Sequence, residues 1–264
     1  MSDEAFETIR YEVAERVATI TLFRPEHRNA LSSIMRRELP AAMARADADR
    51  AVDVIILTGA DPAFCAGLDL KELGAAGSAL NSSVGTPAAD RVGGPWAPTA
   101  KPVIGAVNGA AITGGFEVAL NCDFLIASDR ARFADTHSRV GVMPGWGLTV
   151  LLAEAVGMRR ARELSYSGNF LSAQAALAWG LVNHVVDHDE LLPFCRRLAG
   201  DIVGNDQAGV RRMKATYDAV TAVPLGEGWQ VEHRMGREWA AERMDLSQVE
   251  ERRKAIMERG RSQL

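Results

Sequence analysis

Three short apolar runs constrain this chain most. Val52–Leu57 is β-branched and stops at Gly59, Val103–Val107 stops at Asn108-Gly109, and Phe124–Ala127 is a third run of the same kind. Runs this short, bounded by turn residues, read as buried strands. Helical patterns lie between them, and strands alternating with helices make an α/β protein. Near the N-terminus, Ile9–Val13 and Val17–Phe23 read as two further strands. In the second, Val17, Thr19 and Thr21 alternate with Ala18, Ile20 and Leu22, so both faces are suited to partial burial. The polar stretch Arg24–Asn29 is a turn, after which Ser32 or Ser33 caps a helix expected to reach Ala48.

Two regions depart from this alternation. Residues 74–100 are rich in Gly, Ala, Ser and Pro without a period and read as a flexible surface loop, open between a variable insertion and a lid over a site. From 197 to 264 no strand signal remains, and Pro224 and Gly226 interrupt the helical pattern. The last stretch, Ser247–Gly260, is a charged amphipathic helix with Val249, Ile256 and Met257 as its apolar contacts, suited either to packing on another subunit or to solvent. The expected organisation is therefore an α/β domain over 1–196 that includes the 74–100 loop, followed by a helical region over 197–264. A hydrophobic fraction of 47% with 24% charged residues suits a soluble globular core, and a net charge of −4 gives no overall pull toward nucleic acid. Cys65, Cys122 and Cys195 form no paired pattern and suit a reducing compartment. The first residues are polar, and no run approaches the ~18 apolar residues of a membrane span, so the expectation is a cytoplasmic protein with no membrane partner.

The chemistry gathers at two glycine-containing turns. Phe64-Cys65-Ala66-Gly67-Leu68-Asp69-Leu70 follows a strand, and its small residues let the backbone approach a ligand; a helix starting near Leu68 would turn free N–H groups outward. Asn108–Glu117 also follows a strand and carries Gly114-Gly115, with a helix expected from Gly114 to Asn121. It holds neither a dinucleotide fingerprint nor the lysine of a phosphate loop. Such a helix start stabilises a developing negative charge. Glu117 lies one turn in, among Val118, Ala119 and Leu120, where a buried carboxylate serves acid–base work or simply favours the helix start.

The ordered set Arg28-Asn29-Ala30-Leu31, Phe64–Leu70, Lys101–Gly109, Gly114–Glu117, Cys122-Asp123, Val140–Gly145 and Ala178–Val182 resembles the crotonase (enoyl-CoA hydratase/isomerase) superfamily. The likeness runs over residues 6–195, with a looser helical match beyond. It implies a ββα spiral core with a C-terminal helical region used in trimerisation, a homotrimer or dimer of trimers, an acyl-CoA thioester substrate, and no cofactor or metal besides the substrate's own coenzyme A. It implies an oxyanion hole from the backbone N–H groups of Leu68 and Gly114; losing one such donor costs roughly 3–4 kcal/mol of transition-state stabilisation. Arg28, Ala30, Ala66 and Asp69 would meet parts of coenzyme A and its pantetheine arm, and Lys254 would approach its phosphates.

The chain leaves the family pattern at one place. Family hydratases use two glutamates around one water; the first matches Glu117, and His137 stands where the second belongs. Gly145 matches the residue whose N–H helps to hold that water. Imidazole works as acid or base near neutral pH, so Glu117 and His137 suit syn addition of water to an enoyl thioester. Asp135, two residues earlier, would share the histidine's face in an extended segment and orient the ring, or be an ordinary polar residue. The expected function is an enoyl-CoA hydratase-like lyase of fatty-acid or related acyl-CoA metabolism. The alternatives are a non-catalytic acyl-CoA binder or carrier, and another CoA-enolate reaction such as isomerisation, thioester hydrolysis or decarboxylation. His184 and His188 are spaced for a metal but read as a solvated loop, His27 and His233 show no partner, no serine-hydrolase elbow is present, and Asp123 reads as structural.

Overall fold

The computed structural model describes residues 6–69, 72, 94–223, 234 and 238. It divides into two units, Met1–Val210 and Arg211–Leu264. Most of the 74–100 loop, the Pro224–Gly226 break, the 247–260 helix and Lys254 lie outside the described residues.

Strands β1 (Ile9–Ala14) and β2 (Val17–Leu22) form an antiparallel hairpin that pairs Ala14 with Val17. Its two-residue turn, Glu15-Arg16, has φ of 50° and 64°, the left-handed conformation that a tight hairpin requires. Arg16 is ion-paired with the buried Asp53, which ties this turn to the start of β3 (Val54–Gly59). That strand begins two residues later than expected, because Val52 is still part of a turn: its N–H donates to the Asp49 carbonyl at 3.1 Å. With β5 (Val103–Val107), β7 (Phe124–Ser128) and β10 (His184–Val186) these strands make a six-stranded sheet in the order β1-β2-β3-β5-β7-β10, parallel from β2 onward. A smaller sheet carries β4 (Ala63–Cys65), β6 (Ala110–Ile112), β8 (Arg132–Ala134) and β9 (Leu171–Ser172) in that order.

The chain steps from the large sheet to the small one and then into a helix. β5 and β6 lead to α2 (Gly114–Leu120), and β7 and β8 lead to α3 (His137–Val140). This is the ββα spiral that the resemblance implied. Helix α1 (Ser33–Ala48) is capped as expected, the Ser32 hydroxyl accepting from the Met35 N–H. Its other end is closed by the buried Lys101, whose Nζ donates to the Ala46 and Asp49 carbonyls at 2.7 and 2.6 Å, satisfying oxygens that have no intrahelical donor.

Both faces of the large sheet are covered, as a parallel sheet requires. Ile55 and Leu57 point into the larger core cluster together with α1 and α2; that cluster also takes in residues of α4 (Leu148–Val156), α5 (Met158–Ser167) and α6 (Ala173–Trp179). Val54, Ile56, Ile104 and Ile126 pack on the opposite face against Leu191, Cys195 and Ala199 of α7 (Leu191–Val203). The expected boundary at 196/197 thus falls within a helix that closes the core, and the compact units divide at Val210/Arg211 instead. Helix α8 (Gln207–Thr221) runs through that boundary. Within the second unit Arg212 pairs with Glu238 at 2.6 Å and Lys214 with Asp218 at 3.1 Å.

Candidate active site

Leu68 does not begin a helix; it forms a parallel bridge with Leu31. The Leu31 N–H donates to the Gly67 carbonyl at 2.8 Å and the Asp69 N–H donates to the Leu31 carbonyl at 3.3 Å. In parallel pairing both polar groups of Leu31 are spent on the residues flanking Leu68, so the N–H of Leu68 itself points away from it. The bridge, and not a helix start, sets that direction. Gly67 holds φ at +92°, and a Cβ there would meet the Ile112 carbonyl oxygen at 2.7 Å and the Gly114 nitrogen at 3.5 Å. A Cβ on Gly114 would lie 3.8 Å from the Leu68 nitrogen. The two N–H groups singled out in the sequence are therefore neighbours across the joint of two chain turns.

Gly114 owes its place to Thr113, which has φ 53° and ψ −114°, a conformation rarely held by any residue with a Cβ. The Thr113 N–H donates to the Ala134 carbonyl at 2.9 Å, and its hydroxyl pairs with that of Thr136. These bonds fix the sharp reversal between β6 and α2. Every residue of α2 is buried, and Phe116 packs in the core with Phe133, ring centroids 5.5 Å apart.

Glu117 projects from α2 and is 3% exposed. Its Oε1 accepts hydrogen bonds from the Gly145 and Trp146 N–H groups, at 3.1 and 2.7 Å. The Gly145 N–H, expected to hold water, is thus engaged by the carboxylate, and Oε2 is the oxygen turned toward His137 Nε2, 3.6 Å away. Asn121 clamps this arrangement: its Nδ2 donates to the Glu117 carbonyl at 2.8 Å and to the Trp146 carbonyl at 2.9 Å. Sequence reasoning missed Asn121; its only signal is its position one helical turn after Glu117.

His137 is 5% exposed. Asp135 Oδ1 lies 2.6 Å from His137 Nδ1 and also accepts the His137 backbone N–H at 3.1 Å. The segment is not extended; Asp135 precedes the first turn of α3, and the local chain reversal brings carboxylate and ring together. Burial alone pushes the imidazole down, but Asp135 and Glu117 outweigh it and raise it from 6.5 to about 9. Burial likewise works against the Asp135 carboxylate, yet its bonds to His137 and Ser165 hold it below the usual carboxylate range.

The segments expected to meet coenzyme A are brought together. The Ala66 N–H donates to the carbonyl of the exposed Arg28 at 3.0 Å, and the Ala30 carbonyl accepts from Arg24 Nη1 at 2.7 Å. The same Arg24 nitrogen lies 3.1 Å from Asp69 Oδ2. Asp69 is buried, so its carboxylate ties these two segments together instead of facing outward. Trp146 is partly buried against the main core cluster.

The remaining histidines separate. His184 lies on β10, not in a loop, its ring centroid 5.0 Å from that of Phe194. His188 contacts Asp61 at 3.0 Å and the Ser128 hydroxyl at 3.3 Å. Ser128 is fully buried and donates to the Asn108 carbonyl, so this serine–histidine–aspartate string offers no nucleophile. Among the described residues no group of three or more His, Cys, Asp or Glu could hold a metal ion. His27 lies 3.9 Å from Glu26, and His233 is outside the described residues. Asp123 is structural, accepting the Val103 N–H at 2.7 Å.

Comparison with known proteins gives the family. The Enoyl-CoA hydratase/isomerase family model matches residues 12–260. A probable peroxisomal enoyl-CoA hydratase 1 of Arabidopsis thaliana is 41% identical over 82% of this chain and 80% of its own length. A crotonyl-CoA hydratase of Syntrophomonas wolfei is 37% identical over 86% and 88%. Among solved structures, an enoyl-CoA hydratase from Mycobacterium tuberculosis H37Rv is 49% identical over 88% of this chain and 98% of that one, with a TM-score of 0.74. One from Bacillus anthracis is 31% identical over 94% and 97%, with a TM-score of 0.81. The chain belongs to the enoyl-CoA hydratase/isomerase family.

Proposed function

We propose that this protein adds water across the double bond of a trans-2-enoyl-CoA, with Glu117 and His137 moving the protons and the Leu68 and Gly114 N–H groups holding the thioester oxygen. The observation that carries the reading is the buried pair of Glu117 Oε2 and His137 Nε2, 3.6 Å apart, one helical turn from Gly114. As water oxygen bonds to Cβ, electron density moves to the thioester oxygen, and two donors on that atom lower the barrier. Protonation at Cα then completes the 3-hydroxyacyl thioester. Arg28, Ala30 and Ala66 would border coenzyme A, with Asp69 bracing that wall through Arg24 and Lys254 approaching the phosphates. Gly145, in this reading, supports the water indirectly by fixing Glu117 Oε1. The chemistry draws on no group besides the substrate's own coenzyme A.

The family resemblance supports a homotrimer or a dimer of trimers. Three free buried thiols support a cytoplasmic location. Among the described residues no helix is long and apolar enough to cross a membrane.

Purified protein incubated with crotonyl-CoA and longer trans-2-enoyl-CoAs is expected to consume the enoyl-thioester absorbance and yield the 3-hydroxyacyl product. No absorbance loss at any chain length, with tight acyl-CoA binding by calorimetry, would make it a binder instead. Asn121 gives a second test. Without its amide, the Trp146 carbonyl loses its bond to the end of α2, and the pose of Glu117 rests on its own bonds to Gly145 and Trp146 alone. Asn121→Ala is expected to lower kcat by about 10- to 100-fold with KM little changed. An unchanged kcat would mean that Glu117 holds the 145–146 backbone without help.

A further inference from the structure

We propose that Asp135 is a positioning residue that keeps His137 in its doubly protonated form with Nε2 directed at Glu117, making His137 the proton donor and Glu117 the proton acceptor. This deepens the hydratase reading and rests on it for its kinetic half.

The argument begins with donors and acceptors. Asp135 Oδ1 accepts from the His137 backbone N–H and lies 2.6 Å from Nδ1, so Nδ1 must carry a hydrogen. On the far side Nε2 faces Glu117 Oε2 at 3.6 Å, a second acceptor when ionised. An imidazole between two carboxylates satisfies both only when both nitrogens are protonated. Asp135 also fixes the ring's rotation, because the oxygen that meets Nδ1 is already pinned by the histidine's own backbone N–H. The charged groups facing the ring are Asp135 on its own segment and Glu117 on α2. From α5, packed beside α3, Ser165 bonds to Asp135, and its carbonyl takes the Ser138 hydroxyl. Arg139 on α3 turns away to the Ser167 carbonyl and the Asn169 side chain.

This fixes the direction of proton flow. Glu117 Oε2 takes a proton from water as the oxygen–Cβ bond forms. His137 Nε2 gives its proton to Cα as the enolate collapses, leaving a neutral imidazole and a protonated Glu117. Passing that proton across the 3.6 Å gap restores both groups, so one turnover consumes one water and leaves the site unchanged.

The test reads His137 directly. ¹⁵N-histidine NMR, with the His137→Gln spectrum identifying the signal, is expected to show both ring nitrogens protonated through neutral pH, with a midpoint near 9. Asp135→Asn keeps the size and removes the charge, and is expected to move that midpoint down by about one unit or more. The basic limb of kcat/KM for enoyl-CoA hydration is expected to fall by the same amount, since activity is lost when His137 loses its proton. Asp135→Glu, which keeps the carboxylate, is expected to restore part of the shift. A neutral His137 at pH 7 in the unaltered protein overturns the proposal, whether or not Asp135→Asn folds. An unmoved midpoint in folded Asp135→Asn overturns it as well. If the unaltered protein hydrates no enoyl-CoA, the hydratase reading fails while the NMR titration still decides what Asp135 does.

Discussion

Glu117→Gln is expected to slow enoyl-CoA hydration by about 10²- to 10⁴-fold, the usual worth of a positioned acid–base group. The amide fills the same space but cannot take a proton from water. It also cannot satisfy its surroundings. In the native site Oε1 accepts from Gly145 and Trp146, and Oε2 faces His137 Nε2. One amide orientation turns its NH₂ toward the imidazole, the other toward two backbone N–H groups. The second orientation sets a donor against two donors, the first does so while Nε2 keeps its proton, and an unmatched buried polar group costs about 1–3 kcal/mol of stability. KM is expected to change little, since the Leu68 and Gly114 donors are untouched. Steady-state rates on crotonyl-CoA and a thermal melt check both halves. Activity within about twofold of the native rate would remove Glu117 from the chemistry.

The central strands of the large sheet were legible because they are apolar on both faces, as in Val54–Gly59 and Val103–Val107, whereas the three-residue β10 lies in a stretch that reads as a loop. The small sheet was not. Ala63–Cys65, Ala110–Ile112 and Arg132–Ala134 have three residues each, too few to display a period, and they pair only through contacts distant in sequence. The hairpin turn at Glu15-Arg16 escaped notice because neither residue is Gly, Asn or Asp; its conformation is held from outside, by the ion pair of Arg16 with Asp53. Thr113 is the same case at the site: nothing in Ile112-Thr113-Gly114 announces a positive φ, and the Thr136 hydroxyl and Ala134 carbonyl impose it.

Backbone features of the site carried over from sequence better than side-chain ones. The pairing of Leu68 with Gly114 was implied by the resemblance of the ordered motifs, and their nearness depends on the glycines at 67 and 114. Charged side chains choose their partners in three dimensions. Asp69, expected against coenzyme A, is taken by Arg24, 45 residues away in sequence. Asn121 attracted no attention because an amide on a helix looks ordinary until the Trp146 carbonyl lies above it. Asp135 does meet His137, but not for the geometric reason an extended segment would give, since His137 opens a helical turn and the carboxylate reaches it across the bend.

Gly115→Ala is expected to cost about 3 kcal/mol or more, the upper range for forcing an extra carbon into a packed core. A Cβ at this position would sit 2.1 Å from the Cys65 carbonyl oxygen and 2.7 Å from its carbonyl carbon. Both atoms are backbone, so no side chain can rotate aside. Either α2 or β4 must move. Cys65 stands three residues before Leu68, and Gly115 directly follows Gly114, so relief of the clash separates the two N–H groups proposed to hold the thioester oxygen. Stability and catalysis therefore fall together, which distinguishes this variant from Glu117→Gln. A fall of roughly 10 °C in the thermal midpoint is expected. In protein that remains folded at low temperature, kcat should also drop, because both donors must reach one oxygen as charge develops on it. Gly114→Ala is the control for the melt from the neighbouring position: the tightest contact of its Cβ would be the tip of Leu31 at 3.3 Å, which a side chain can relieve, with Leu68 at an ordinary 3.8 Å. If Gly115→Ala melts like Gly114→Ala and keeps the native kcat, the close approach of α2 to β4 does not set the geometry of the site.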